Sequence, residues 1–143
     1  MPRPKISVVM SVYNNAPHLA KAIESILGQS FGDFEFIIID DGSTDGSSEI
    51  IDGFAARDGR VRAVHQENRG LVAALNRGME RAAAEVIARM DGDDIAHRER
   101  FAQPRALGRV ECLHAVEIRA IAERGLRTGE CDRVDVERFA QAL

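Results

Sequence analysis

Two stretches of this chain put acidic side chains where they could act on a ligand. Asp40-Asp41 closes one apolar run, and Asp91-Gly92-Asp93-Asp94 closes another. In an extended segment the spacing Asp91-x-Asp93, a DxD pair, sends both carboxylates to the same side, where they repel unless a cation or a hydrogen-bond donor intervenes. Oxygen-only ligands of this kind suit Mg²⁺ or Mn²⁺, ions that keep several waters and share their other positions with a diphosphate. Asp91 and Asp93 are therefore the candidate metal residues. Gly92 between them has no Cβ, so a sugar or phosphate could approach the backbone closely. Asp41 is an acceptor-only group, and the imide N–H of uracil or thymine is a donor that matches it, whereas adenine has no imide. The chain contains neither GxGxxG nor GxxxxGK[ST]. A diphosphate bound here would thus be neutralised by a metal and not by a helix N-terminus. Ser43 and Asp45 read as turn and helix-cap residues, the ordinary use of Asp-Gly-Ser after a strand.

Positioning these residues together requires strands that end side by side. Ile6 to Val12 (ISVVMSV), Phe34 to Ile39 (FEFIII), Val61 to His65 and Val86 to Met90 are short, β-branched or apolar runs of the kind buried in a parallel sheet. Between them lie three helical patterns. The first starts at Asn14 and Asn15 with Pro17 in its opening turn, ends near Gln29, and carries Leu19, Ile23, Ile26 and Leu27 on one face. A second turns Ile50, Ile51 and Phe54 inward, and a third aligns Leu71, Ala74, Leu75, Met79 and Ala82. Strict alternation implies right-handed crossovers and an α/β, Rossmann-like parallel sheet with flanking helices and strand order 3-2-1-4. In such sheets ligands bind beyond the carboxyl ends of the strands, which gathers Ser11 to Asn14, Asp40-Asp41 and Asp91-Gly92-Asp93 at one crevice. After Phe101 the pattern changes. Pro104 breaks the chain, and Arg105–Arg124 and Val134–Leu143 read as helices, a helical C-terminal tail. The run Arg98-Glu99-Arg100 reads as a solvated helix face.

Composition narrows the partners. A chain of 143 residues with 45% hydrophobic and 29% charged residues is ordinary globular material with one expected core. A net charge of -4 offers no basic face to displace counterions from phosphates, so nucleic acid is not expected as a partner. Cys112 and Cys131 are too few and too far apart for a metal knuckle or a disulfide framework. His18, His65, His97 and His114 lack ligand spacing. No apolar stretch is long enough for a signal peptide or a membrane span, so the expected location is cytoplasmic, with room for attachment at the inner face of the membrane.

Four segments, SVVMSVYNN, FIIIDDGSTDGS, ENRGLVAALNRG and VIARMDGDDIAHRERF, resemble in order and spacing the successive motifs of family-2 glycosyltransferases with the GT-A fold. The resemblance covers roughly residues 5 to 103. It implies a nucleotide-sugar-binding domain over 1–103, with Ser11 and Tyr13 lining the base pocket and Asn14 beside them. Asp41 would accept from the uracil or thymine imide, Asp91 would meet the ribose, and Asp93 would hold the Mn²⁺ or Mg²⁺ that bridges the diphosphate. The implied activity is inverting transfer of a sugar from a UDP- or dTDP-sugar to a glycan or lipid-linked acceptor, as in polysaccharide biosynthesis, in a chain with room to form a homo-oligomer. Leu75-Asn76 stands where many relatives have Arg-Asn, and Arg98 where proline is usual. After Gln103 the similarity fades, and no acidic residue of the tail over 104–143 is identifiable as the base that would activate an acceptor. A second reading is therefore a truncated, non-catalytic module that holds nucleotide-sugar and metal. A receiver-type phosphorylation switch is disfavoured, because no lysine follows Lys21 and the acidic pair does not follow the first strand.

Overall fold

The computed structural model describes residues 2–102, which form seven alternating elements. Strand β1 spans Ile6–Val12, α1 Ala16–Leu27, β2 Phe34–Asp40, α2 Ser47–Arg57, β3 Val61–His65, α3 Leu71–Glu80 and β4 Val86–Asp91. All strand pairs are parallel, and the order is β3-β2-β1-β4, the order expected from the alternation. The expected helical tail over 104–143, with Cys112, Cys131 and His114, lies outside the described residues.

Side-chain period sorts the sheet into two faces. Val8, Met10, Phe36 and Ile38 join Leu19, Ile23 and Ile26 of α1 and Ile51 of α2 in one core, whereas Val9, Ile37, Ile39 and Ile87 meet Ala74 and Leu75 of α3 in the other. This division follows from connectivity. The chain steps outward from β1 to β2 to β3 with its helices on one face, then returns across the sheet to β4 with α3 on the opposite face, as right-handed crossovers require. The return makes the gap between β1 and β4 the topological switch point of the sheet. Close packing of α3 rests on Gly78, where an added Cβ would lie 2.4 Å from Val9 Cγ1.

The amino ends of the strands are tied by a polar knot. Glu35 accepts from the Ser7 hydroxyl and from Ala83 N at 2.6 Å, Ser7 Oγ accepts from Ala84 N at 3.0 Å, and Arg62 donates to Glu35 at 3.0 Å. Burial pushes the Glu35 carboxyl up, but the bonds from Ser7, Ala83 and Arg62 outweigh it and hold it below its usual value. The segment after β4 does not form the expected helix face at Arg98-Glu99-Arg100, because it consists of turns folded back under α1. Buried Gln29 donates to His97 O at 2.7 Å and accepts from Phe101 N at 3.1 Å, and Ser25 Oγ accepts from Ala96 N at 3.0 Å. Phe101 is fully buried and packs on Phe34 with ring centroids 5.9 Å apart. Burying one such side chain stabilises by about 1.5–3 kcal/mol and, with the Gln29 and Ser25 bonds, ties the segment after β4 to the core.

Candidate functional site

Residues two apart on a strand share a face, so Ser11, Asp41 and Asp91 all rise on the α3 side at the carboxyl ends of β1, β2 and β4. With Tyr13, Asn15, Asn68, Gly70, Leu71, Gly92 and Asp93 they line a cavity of about 450 Å³ at the switch point. Six of the seven residues singled out in the sequence are in this lining, namely Ser11, Tyr13, Asp41, Asp91, Gly92 and Asp93. The seventh, Asn14, is not. It adopts a left-handed backbone (φ 52°), its side-chain oxygen accepts from Thr44 N at 2.8 Å, and its own N–H donates to Ser43 Oγ at 3.1 Å. Asn14 thus holds the β1–α1 loop to the β2–α2 loop, and Asn15 takes its place in the cavity wall.

Asp41 is almost wholly buried, at 2% exposure, and it is prepaid with partners. Its Oδ1 accepts from Gln66 Nε2 and Arg69 N, both at 2.8 Å, and Oδ2 accepts from Gly70 N at 2.9 Å. Gly70 precedes α3, so the carboxylate also sits at the positive end of that helix. A carboxylate has about four acceptor positions, and these bonds use three. One position on Oδ2 is left for a ligand donor. Gly42, at φ +79°, brings the β2 turn against this loop so closely that a Cβ would lie 2.8 Å from Asn68 N.

The neighbouring Asp40 faces the other way. Also 2% exposed, it accepts from Ser43 N at 3.0 Å, from Ser48 Oγ, and from His65 Nδ1 at 2.9 Å, while His65 Nε2 meets Asp52 at 2.8 Å. Burial pushes the Asp40 carboxyl up, but the bonds from Ser43, Ser48 and His65 outweigh it and hold it below its ordinary value. Hydrogen bonds to Asp40 and Asp52 hold the His65 imidazole above its own. Asp45 and Ser43 act in turns and caps, as expected from their pattern. Asp45 accepts from Ser47 N at 3.1 Å, and its other oxygen caps the start of α1 by accepting from Ala16 N at 3.0 Å.

On the far wall, Asp94 N donates to Asp91 O at 3.2 Å, closing a turn that leaves Asp93 exposed at the cavity. Asp91 is partly exposed, and its Oδ1 accepts from Arg89 Nη2 at 2.9 Å. A Cβ at Gly92 would face Asn15 and Val12 at 3.4–3.5 Å, ordinary contact, so this turn lies against the β1–α1 loop with room for a small side chain. Among the described residues no cluster of three or more acidic, imidazole or thiol side chains could hold a metal by itself. The Asp91 and Asp93 oxygens fit a hard cation that takes its remaining ligands from a diphosphate and water.

Residues 7–104 match the family described as glycosyl transferase family 2. The chain belongs to this family. Similar relatives include glycosyltransferase GlyG of Streptococcus pneumoniae, 48% identical over 91 residues covering 63% of this chain and 30% of GlyG. Another is the uncharacterized glycosyltransferase EpsJ of Bacillus subtilis, 39% identical over 98 residues covering 68% of this chain and 28% of EpsJ. The chain therefore spans under a third of the length of these curated relatives. Among solved structures, the mannosyltransferase PcManGT from Pyrobaculum calidifontis, in complex with GDP-Man and Mn²⁺, superposes with a TM-score of 0.59 at 26% identity, over 68% of this chain and 30% of that one. S. aureus TarS 1-349 in complex with UDP-GlcNAc has the same fold, with a TM-score of 0.62 at 24% identity over 66% of this chain and 28% of that one. The fold is the parallel, helix-flanked sheet of GT-A glycosyltransferases.

Within this family 2 domain, sequence reasoning missed four parts of the cavity wall and one neighbour. Asn68 and Gly70 lie in the third motif, and the positive φ of Gly70 (+90°) marks a sharp entry into α3. Leu71 fits the apolar stripe of α3, yet it is half exposed because the first turn of the helix overhangs the cavity. Asn15 enters the wall because the left-handed turn at Asn14 carries Asn14 itself away from it. Arg89 was findable, since it precedes Asp91 by two residues and must share its face. No helix among the described residues is long and apolar enough to cross a membrane.

Proposed function

We propose that residues 2–102 form the donor half of a metal-dependent, inverting glycosyltransferase that takes a UDP- or dTDP-sugar and serves a glycan or lipid-linked acceptor. The observation that carries this reading is the Asp41 carboxylate, buried at the cavity with one acceptor position left after three internal hydrogen bonds. A single free acceptor suits the single imide N–H of uracil or thymine. Tyr13, half exposed beside it, offers a ring face for the base, and Ser11 a hydroxyl. Asp91 keeps one oxygen free for a ribose hydroxyl, and Asp93, with Asp91 beside it, would hold Mn²⁺ or Mg²⁺ against the diphosphate. The Mn²⁺ in the PcManGT complex and the UDP-GlcNAc in the TarS complex support a divalent ion and a nucleotide-sugar as its ligands. When bound, the cation supplies charge stabilisation to the departing nucleoside diphosphate.

The protein groups divide the remaining work. Asp41 fixes the base, Asp91 orients the ribose, and the overhanging Leu71 shields one side of the donor from water. The cavity's three carboxylates are all assigned to donor binding, and among the described residues its lining holds no histidine, so the base that deprotonates the acceptor is assigned to none of these lining residues. The reading is tested by equilibrium binding of UDP in Mn²⁺ and in EDTA, with ADP as control. UDP should bind in Mn²⁺ only, and ADP at least tenfold more weakly. Equal affinity in EDTA, or ADP matching UDP, contradicts it. Incubation with UDP-sugars and a panel of acceptors, followed by product mass, then separates transfer from donor binding alone.

A further inference from the structure

Arg89 lies on β4 with its side chain on the same face as Asp91. One guanidinium nitrogen, Nη2, donates to Asp91 Oδ1 at 2.9 Å, with the two side chains 30% and 34% exposed. Another, Nε, is buried with no hydrogen-bond partner. Burying a donor unpaired costs free energy, so an arginine in that position calls for an explanation at the group it does reach. That group is a wall of the donor cavity. The backbone beneath is fixed as well, because Arg100 Nη2 donates to Arg89 O at 3.0 Å.

The consequence is electrostatic. Without Arg89 the cavity mouth would carry two adjacent carboxylates, Asp91 and Asp93, a combination that attracts a divalent cation whether or not nucleotide is present. With Arg89 paired to Asp91, one of those charges is offset and one oxygen is already taken. Resting on the donor-site reading above, we propose that Arg89 is a positioning residue that pins Asp91 through one oxygen and holds a divalent cation off the cavity until a diphosphate brings its own negative charge. Cation and nucleotide then bind as a coupled pair, each raising the affinity of the other by the same factor.

The test is titration of the chain with Mn²⁺, with and without saturating UDP, reading free Mn²⁺ by its electron paramagnetic resonance signal. The parent should bind Mn²⁺ at least tenfold more tightly with UDP than without. Arg89→Gln should bind Mn²⁺ alone about tenfold more tightly than the parent, the order expected for removing a unit charge roughly 6 Å from a divalent ion at a solvent-exposed mouth with a dielectric near that of water, about 80. Arg89→Lys should keep the parental coupling. Should Arg89→Gln fail to fold by circular dichroism, Arg89→Met replaces it, since its stem preserves the packing. A parent that binds Mn²⁺ equally with and without UDP, or a neutral variant with parental Mn²⁺ affinity, overturns the role of Arg89 and leaves the donor site standing. A parent that binds no UDP at any Mn²⁺ concentration overturns both.

Discussion

Asp40 and Asp41 are consecutive, equally buried and chemically identical, yet strand geometry separates them onto opposite faces of the sheet. On the α1/α2 face Asp40 spends its carboxylate on Ser43, Ser48 and His65, all within the protein. On the α3 face Asp41 also satisfies three internal donors, but it does so at a cavity wall and keeps one acceptor position open. Burial alone therefore does not distinguish a structural acid from a binding one. What distinguishes them is which face the side chain enters and whether the chain reverses direction across the sheet on that face.

The widest separation between the two faces should come from Asp93→Ala. On the proposed reading this exposed carboxylate serves the metal and contributes little to the core, so UDP affinity in Mn²⁺ should fall at least about a hundredfold while Tm stays within the small range of surface substitutions. A shifted Tm with intact binding would place Asp93 on the structural side. Asp40→Ala is the mirror experiment. It strands the Ser43 N–H and Ser48 hydroxyl and breaks the pair with His65, so chemical denaturation should show a loss of about 2–3 kcal/mol, with UDP affinity of the folded protein within threefold of the parent.

Packing offers a sharper version of the same contrast. Gly78→Ala inserts a Cβ 2.4 Å from Val9 Cγ1 on the α3 face and should cost about 1–3 kcal/mol by moving α3, also loosening the Asn68–Leu71 wall. Thermal unfolding and UDP titration should both respond. The smallest effect belongs to His65. Its pKa is raised above the ordinary value of 6.5 by Asp40 and Asp52, so its stabilisation is fully present below pH 6.5 and is lost as pH rises through the higher folded value. The side chain is 43% exposed, so the effect should stay under about 1 kcal/mol, and His65→Gln should flatten it. Asp40, held below 3.8, works in the opposite sense, contributing stability above that pH and losing it as pH falls through the folded value.

The strands and their order were legible because each is a short apolar run followed at once by a polar turn, and because alternation with helices leaves few topologies. The cavity was legible where acids stand at or just after strand ends, as at Asp41, Asp91 and Asp93, which all line it. It was less so where function depends on loop conformation. Nothing in the pair Asn14-Asn15 shows which asparagine turns toward the cavity, since that is decided by a left-handed φ at Asn14 and by bonds to a loop about thirty residues away. Likewise Leu71 satisfies the helical stripe, yet as the first residue of α3 it is half exposed at the cavity wall. Arg98-Glu99-Arg100 has the composition of a solvated helix, but buried Gln29 captures both His97 O and Phe101 N and forces turns instead.

The most direct test is the same substitution on each face. Asp40→Asn and Asp41→Asn remove one charge apiece from adjacent, equally buried positions, and UDP binding in Mn²⁺ can be measured for each by calorimetry after correction for folded fraction. Asp41→Asn should weaken UDP by roughly 10- to 100-fold, the 1.5–3 kcal/mol typical of a charge-assisted hydrogen bond, while Asp40→Asn stays within threefold of the parent. Equal losses in the two variants, or a larger loss in Asp40→Asn, would contradict the assignment of the donor site to the α3 face.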